Sequence, residues 1–547
     1  MQRMTTGQAV VQRLLAHGID TLYALPGVHN DPLFDAAQQS DGRLRVIHTR
    51  HEQTAAYMAL GAALATGKAQ PFAVVPGPGL LNASAALLTA YGMGAPVLAL
   101  VGQIPSFAID RGYGHLHELH DQLGLMRHMT KFAARIASPA EAPGLVDAAL
   151  HAATSGRTRP VALECAIDTW AEEGAVEAAP PVPPAAPPPP DPVAIAQAVA
   201  LIGRARRPLI MAGGGALGAA AELTRFAEAI GAPVGSLRRG RGAIDTAHPL
   251  AISHTEAHAR WAETDLVIGI GTRLYPQQSV WGIDKDIAVI RIDIDAEEIA
   301  RYRAPDCALP GDAAVVLRAL LDALPGPDRA MPDLAPVRAG FAERLSRLEP
   351  QMRFLHALRA AMPADGVLVE DVTQLGFATR LAWPVAAPRL YLSPGYQDNL
   401  GWGYGTALGV QAALPGRAVV LIAGDGGFLY QAQEIATAMR HDLPVVAVVF
   451  DDGAFGNVRR IQQQQYGNRL IACDLANPDF VAFARSFGAN AYRAETPEAM
   501  GAAVRQALAA RRPALVHVPV GEMPSPWDMI LLPRLREPGA AWRKALP

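Results

Sequence analysis

Short apolar runs recur along the chain, each closed by a Gly-, Pro- or Asp-bearing turn and followed by a stretch with helical spacing. In the first third, residues 21–24, 45–47, 72–75, 97–101 and 160–164 read as buried strands. Between them, residues 5–17 (TTGQAVVQRLLAH) put Val10, Val11, Leu14 and Leu15 on one helical face, with Gly18 as the stop. The pattern returns at 208–212, 265–270 and 288–292, and again at 418–423 and 444–450. Strands alternating with helices predict an α/β protein of three doubly wound parallel-sheet domains. Composition shifts place their limits at 1–175, 196–324 and 346–520, with a tail over 521–547. The proline-dense segment APPVPPAAPPPPDPV (179–193) favours extended polyproline geometry and predicts a semi-rigid linker over 176–195; a second, over 325–345, follows Pro325.

Length and charge narrow this picture. A chain of 547 residues is long for one core. The 48 basic residues against 51 acidic ones leave a formal charge of −3, which gives no footprint for nucleic acid. Cys165, Cys307 and Cys473 match neither a metal spacing nor a disulfide framework, which points to a reducing cytoplasm. The start MQRMTTGQ carries no apolar signal segment. The uncharged run 79–103 is split by Gly92, Gly94 and Pro96 into a helix and a strand, so no membrane span is expected.

The candidate chemistry centres on residues 418–457. Strand, helix (429–440) and strand make a right-handed βαβ unit, so the turns Gly424-Asp425-Gly426 and Asp451-Asp452-Gly453 fall at the carboxyl edge of one sheet. Asp425 and Asp452 each supply a hard oxygen there, and glycines let backbone N–H groups approach a phosphate; together they describe a Mg²⁺–diphosphate site. Taken alone, Asp-Gly turns more often just close strands.

The partners of that stretch favour the chemical reading. Gly-Asp-Gly, then 24 residues (427–450), then an acidic pair before Gly453-Ala454-Phe455-Gly456-Asn457 resembles the thiamin-diphosphate motif. That motif usually ends in two asparagines, where this chain has Asp451 and Asp452. Thr49-Arg50-His51-Glu52-Gln53-Thr54 resembles the stretch in which such enzymes keep an activating glutamate. The resemblance implies that Glu52, partly buried, shares a proton with N1′ of the aminopyrimidine and so activates C2 of the thiazolium. Leu25-Pro26-Gly27 and Gly77-Pro78-Gly79 with Asn82 match the pyrimidine-side loops. In Ser393-Pro394-Gly395-Tyr396-Gln397-Asp398-Asn399-Leu400, otherwise a turn between strand and helix, Leu400 takes the place of the apolar residue that props the cofactor into a bent shape.

These pieces, in this order, resemble the acetolactate synthase / 2-oxo acid decarboxylase superfamily over nearly the whole chain. The resemblance implies pyrimidine-binding, middle and diphosphate-binding domains, and a homodimer or homotetramer with active sites between subunits. Glu52 then reaches a cofactor held by Asp425 of the partner subunit. The implied cofactor residues are Pro26, Gly27, Asn82, Gly395, Leu400, Gly424, Gly426, Gly427 and Phe428; the metal ligands are Asp425, Asp452 and the Ala454 carbonyl. Arg459 or Arg460 is expected to offset the extra acidic charge.

On the substrate side, His29, His115, His117 and His120 lie on loops facing the expected cavity, with His117 and His29 the candidates for proton transfer. Gln103, Asn457, Val458 and Ile461 are expected to line the pocket. Acetolactate synthases carry a Met-Val pair and a Trp where this chain has Asn457, Val458 and Ile461, which argues against a pyruvate-plus-pyruvate specialist. Gly213–Gly218 spells GxGxxG, but no ribose-binding acid stands around Gly231 to Gly235. Flavin-binding relatives carry an Arg-Phe-Asp-Asp-Arg-like stretch where this chain has Arg273-Leu274-Tyr275-Pro276, so FAD is not expected. The leading expectation is decarboxylation or carboligation of a 2-oxo acid; the alternatives are a 2-hydroxyacyl-CoA or 2-hydroxy ketone lyase and, more distantly, a non-catalytic nucleotide-binding protein.

Overall fold

The chain folds around three six-stranded parallel sheets, and the computed structural model describes residues 1–177, 180–181, 186–326 and 329–537. Across the first sheet the strands run Arg45–His48, Thr21–Ala24, Gln70–Val74, Val97–Gln103, Val161–Ala166, Ala133–Ile136. Across the third they run Tyr391–Leu392, Val367–Glu370, Val419–Gly424, Val446–Asp451, Ala514–Pro519, Asn490–Arg493. Both have the order 2-1-3-4-6-5, with the chain reversing direction across the sheet between the first and third strands. The middle sheet, centred on Pro208–Ala212 and Leu266–Ile270, has the order 3-2-1-4-5-6. Strands such as Val161–Ala166 and Val419–Gly424 are buried at every position, as expected when helices cover both faces.

The first and third domains share one core, whereas the middle domain has its own. Their junction is the crossing of helices Glu52–Thr66 and Gly403–Ala413, both rich in Ala and Gly. A Cβ on Gly61 would lie 2.1 Å from the Thr406 carbonyl oxygen, and one on Gly409 2.0 Å from that of Met58. Only glycine lets these two backbones approach so closely.

Several elements depart from the sequence expectation. The helix expected over 429–440 is broken into Asp425–Phe428, a 3₁₀ turn at Ala432–Glu434 and Ile435–Arg440. Buried Gln431 interrupts it by turning its side chain to accept the Gly405 N–H. Residues 325–345 do not form a plain linker, because Ala335–Leu345 is helical and the preceding Leu334 is buried in a small apolar cluster. The expected linker over 176–195 falls partly outside the described residues, and its end is taken by helix Pro192–Arg204, capped by Asp191. Gln2–Thr5 and Glu173–Val176 pair as an antiparallel ribbon that no alternation announced. The tail docks on the middle domain: Thr255 and His258 bond the carbonyls of Met529 and Pro533 at 2.9 and 2.8 Å, and the Arg536 N–H reaches the Trp281 carbonyl at 2.9 Å. Among the described residues no helix is long and apolar enough to cross a membrane, and the three cysteines are free and buried.

Candidate active site

At the carboxyl edge of the third sheet the two acidic turns sit on adjacent strands, in register Gly424 to Phe450. Asp425 is 2% exposed. Asn477 donates both hydrogens of its amide, to Asp425 Oδ2 at 2.6 Å and to Asp451 Oδ1 at 2.8 Å. Burial, with the neighbouring charges of Asp452 and Asp451 adding to it, pushes the Asp425 carboxyl up to about 6. Burial also raises the Asp452 carboxyl, against the donors that hold it: the Ala454 N–H at 3.2 Å and the Gln374 amide.

Asp451 behaves differently. Burial works against its ionisation, yet His517 at 2.9 Å, Asn477 and the Gly453 N–H hold its carboxyl below the usual range. Its two oxygens are thereby committed to these three donors. Asn477 Oδ1 is buried without a partner. This acceptor-rich edge fits a hard cation with oxygen ligands. No group of three or more His, Cys, Asp and Glu side chains among the described residues can hold a metal unaided. A cation here therefore needs a backbone carbonyl, such as that of Ala454, and oxygens from a bound ligand.

Around this edge Gly424, Gly426 and Gly427 keep the turn close to its neighbours. A Cβ at Gly426 would lie 2.6 Å from the Phe455 ring, and one at Gly427 3.4 Å from Asp371 Oδ2. Phe428 is buried between Tyr404 and Phe480, so its side chain packs the core under the turn and does not face a cofactor. Gly395 has a left-handed φ of +65°, and its carbonyl accepts from Arg238 at 2.7 Å. Leu400 is half-buried on the same loop. Asn399 ties that loop to the Tyr57 hydroxyl and to Thr89 of the first domain.

The first sheet presents its own edge. Glu52 is half-buried at the first position of its helix and accepts from Asn82 Nδ2 at 3.0 Å, so two residues predicted from separate motifs meet. Pro26 is exposed, and Gly27 lies against Val75, where a Cβ would come within 2.5 Å of Cγ1. His29 and His117 stack with ring centroids 5.1 Å apart, each with a buried Nδ1 lacking a partner. Burial and the neighbouring His117 hold the His29 imidazole below its usual range, so it is neutral at pH 7. His117 takes a left-handed φ of +63°, and its carbonyl packs where a Cβ on Gly77 would stand. His115 and His120 lie on the outer part of the same loop. Within one chain the Glu52 group and the Asp425 group share no hydrogen-bond partner among the described residues.

Gln103 is a correction. It is 2% exposed, and its amide is used by Glu164 at 3.3 Å and by the Ile104 N–H at 2.8 Å. It belongs to a polar cluster with buried Glu164 and Gln122 and half-buried Arg135, and Gln122 in turn joins the Gly77 N–H to the Gly102 carbonyl. Asn457, Val458 and Ile461 lie on helix Gly456–Gln465, which buries none of its residues. Asn457 accepts from Arg460 at 2.9 Å, and Arg459 pairs with Asp474 while its charge favours ionised Asp452. In the middle domain, Gly213 and Gly215 press against Gly271, with added Cβ atoms 2.3 and 2.7 Å away, so these glycines of GxGxxG serve packing.

Sequence reasoning missed Asn477, Gln374, Asp371 and Glu434. Asn477, Gln374 and Asp371 stand outside the motifs read above, and Glu434 falls in the unspecified span 427–450 between the two acidic turns. The nearest available signal was Glu370-Asp371, two acids closing an apolar run that ends at the same edge.

Comparison with known proteins matches the thiamine pyrophosphate enzyme N-terminal binding domain over residues 4–125, the central domain over 195–320 and the C-terminal binding domain over 371–518. A probable 2-ketoarginine decarboxylase of Pseudomonas aeruginosa is 33% identical over 512 residues, covering 89% of this chain and 88% of that protein. A probable acetolactate synthase large subunit of Methanocaldococcus jannaschii is 33% identical over 547 residues, covering 94% and 92%. The acetolactate synthase isozyme 2 large subunit of Escherichia coli is 30% identical over 544 residues, covering 96% and 97%.

Proposed function

The chain belongs to the thiamine pyrophosphate enzymes of the acetolactate synthase and 2-oxo acid decarboxylase type, and from that premise we propose the reaction and the part each residue plays in it. The protein is a thiamin-diphosphate- and Mg²⁺-dependent enzyme that breaks the bond between carboxylate and carbonyl of a 2-oxo acid, then protonates the product or joins it to a second carbonyl. The observation that carries this reading is the crowding of Asp425 and Asp452 at one sheet edge, with Asp425 pushed up to about 6 by burial and like charge. A divalent cation relieves that repulsion. When bound, the cofactor supplies the nucleophilic carbon and the electron sink.

The chain's own residues do the rest. Asp425, Asp452 and the Ala454 carbonyl hold Mg²⁺, while the backbone N–H groups of Gly426 and Gly427 bind the diphosphate. Glu52 holds a proton on its carboxyl against the aminopyrimidine, and Asn82, 3.0 Å from Glu52 Oε2, orients it. Pro26 and Gly27 wall the pyrimidine side; Gly395 and Leu400 wall the other. His29, neutral at pH 7, and His117 move protons at the substrate. Because the Glu52 and Asp425 groups make separate contacts within one chain, we place the complete site between two subunits of a homodimer or homotetramer.

FAD has no part in this proposal. The non-catalytic alternative is set aside by the family. The lyase reading uses the same residues and is separated by assay. A panel of 2-oxo acids, including ones with cationic side chains, is expected to release CO₂ from at least one in the presence of thiamin diphosphate and Mg²⁺. Absence of CO₂ from all of them, with cleavage of a 2-hydroxyacyl thioester, moves the enzyme to the lyases.

A further inference from the structure

The turn that launches the Glu52 helix is held from outside its own domain. Strand Arg45–His48 ends, and four residues later Glu52 opens its helix. Within the first domain the turn has Thr49 N–H on the Ala24 carbonyl, Thr49 Oγ1 on the His51 carbonyl, and the His51 ring capping the Gln53 N–H. Its remaining support comes from the third domain. Glu434 accepts the Arg50 N–H with both carboxylate oxygens, at 3.2 and 3.1 Å, and the His441 ring meets both backbone groups of His48 at 3.2 Å.

Glu434 is an expensive way to make one hydrogen bond. It is 0% exposed and forms no ion pair among the described residues; it accepts from the Arg50 N–H and the Thr437 hydroxyl, with the Thr54 side chain and the His51 ring near enough to favour its charge. Burial raises the Glu434 carboxyl against the donors that hold it, so an acid without an ion pair is kept where a neutral side chain would pack at less cost. Its links to the first domain gather around Glu52: the Arg50 amide two residues before it, with the His51 ring and the Thr54 side chain close by. It also closes the segment that begins at Asp425, as the last residue of the 3₁₀ turn Ala432–Glu434.

We infer that Glu434 is a positioning residue for Glu52: across the domain boundary it grips the Arg50 amide and so fixes the direction in which Glu52 leaves its turn. This inference rests on the role proposed above for Glu52. Helix dipole and capping set that the helix begins here, whereas the Glu434 contact sets where its first turn points. A shift of about 1 Å in an activating group is enough to slow its proton transfer by about a hundredfold.

The test reads hydrogen–deuterium exchange at C2 of bound thiamin diphosphate in holoenzyme, by acid quench and NMR, alongside cofactor affinity. Glu434→Ala is expected to slow exchange by about tenfold or more with the affinity changed less than about threefold. Glu434→Gln keeps an acceptor for the Arg50 N–H and is expected to exchange within about threefold of the unaltered enzyme. Glu434→Asp keeps the charge but retracts the acceptor and is expected to be slow. If the alanine variant does not fold, the Gln and Asp variants decide: a slow Gln variant or a fast Asp variant overturns the inference. Glu52→Gln is run in parallel. If it abolishes exchange while Glu434→Ala does not slow it, the inference alone falls; if Glu52→Gln leaves exchange unaltered, the reading of Glu52 falls and takes this one with it.

Discussion

Asp452 stands where related motifs carry asparagine, and its neighbours explain how a second carboxylate is tolerated. Gln374 donates to one oxygen and the Ala454 N–H to the other, and the Arg459 charge lies within reach. An aspartate is as good an oxygen donor as asparagine, so the difference is charge beside a diphosphate. Replacing Asp452 with Asn is expected to make thiamin diphosphate binding depend less steeply on Mg²⁺, by titration at several metal concentrations; an unchanged dependence removes this account of the aspartate. Glu52→Gln is expected to lower kcat by about a hundredfold or more with the melting temperature retained, as for loss of a general acid–base group. Turnover equal to the unaltered enzyme would take Glu52 out of the mechanism.

Asp371 gives a prediction of a different kind. Burial pushes its carboxyl up to about 7, with the charge of Glu370 adding to it, while the N–H groups of Val372 and Gly403 oppose. The folded state therefore keeps a proton that the unfolded chain loses near pH 4. Stability from this group is present at low pH and falls as pH rises from about 4 to about 7. Asp371→Asn is expected to flatten that part of the curve of melting temperature against pH; an unchanged slope assigns the pH dependence elsewhere.

At the scale of elements, the molecule turns on the crossing of helices Glu52–Thr66 and Gly403–Ala413. The small-residue pattern of residues 52–66 is plain in the sequence and predicts a helix, but not its partner, because helical spacing carries no information about which distant face it meets. The structure supplies the partner, and with it the reason for Gly61 and Gly409. Either glycine replaced by alanine forces the backbones apart and is expected to cost about 1–3 kcal/mol, read by denaturant unfolding. A cost near zero would mean that the crossing adjusts freely. The segment 429–440 shows the opposite limit: its apolar spacing reads as one helix, yet Gln431 turns inward to accept the Gly405 N–H, and the regular helix begins only at Ile435.

For the whole molecule the clearest expectation concerns assembly. If Glu52 of one subunit completes a site built on Asp425 of the partner subunit, mixing Glu52→Gln with Asp425→Ala variants after subunit exchange restores one intact site per mixed dimer. A random equal mixture is then expected to recover about a quarter of full activity. No recovery, with exchange verified by mass, would place both residues in one chain. Val458 on helix Gly456–Gln465 and Tyr466, Leu470 and Ile471 just beyond it are open to solvent in the single chain.

Much of this was legible without coordinates, because it depends on local rules. Alternating strands and helices specify parallel sheets, and parallel sheets put successive strand ends on one edge, so Asp425 and Asp452 could be placed together from spacing alone. The pairing of Glu52 with Asn82 needed the sheet order, because their strands, Arg45–His48 and Gln70–Val74, lie on either side of Thr21–Ala24 and spacing along the chain does not show that. Gln103, read from its place after a strand as a pocket residue, proved to be buried with Glu164, since position along a strand does not reveal what lies beneath it. The sequence by itself determined the fold class, and it named the metal-edge candidates and Glu52 as the candidate activating glutamate. Tertiary structure alone decided which polar groups hold them: Asn477 on Asp425, Gln374 on Asp452 and buried Glu434 on the turn before Glu52. Those contacts are long-range hydrogen bonds, fixed by packing of distant segments and not by any periodicity of their own.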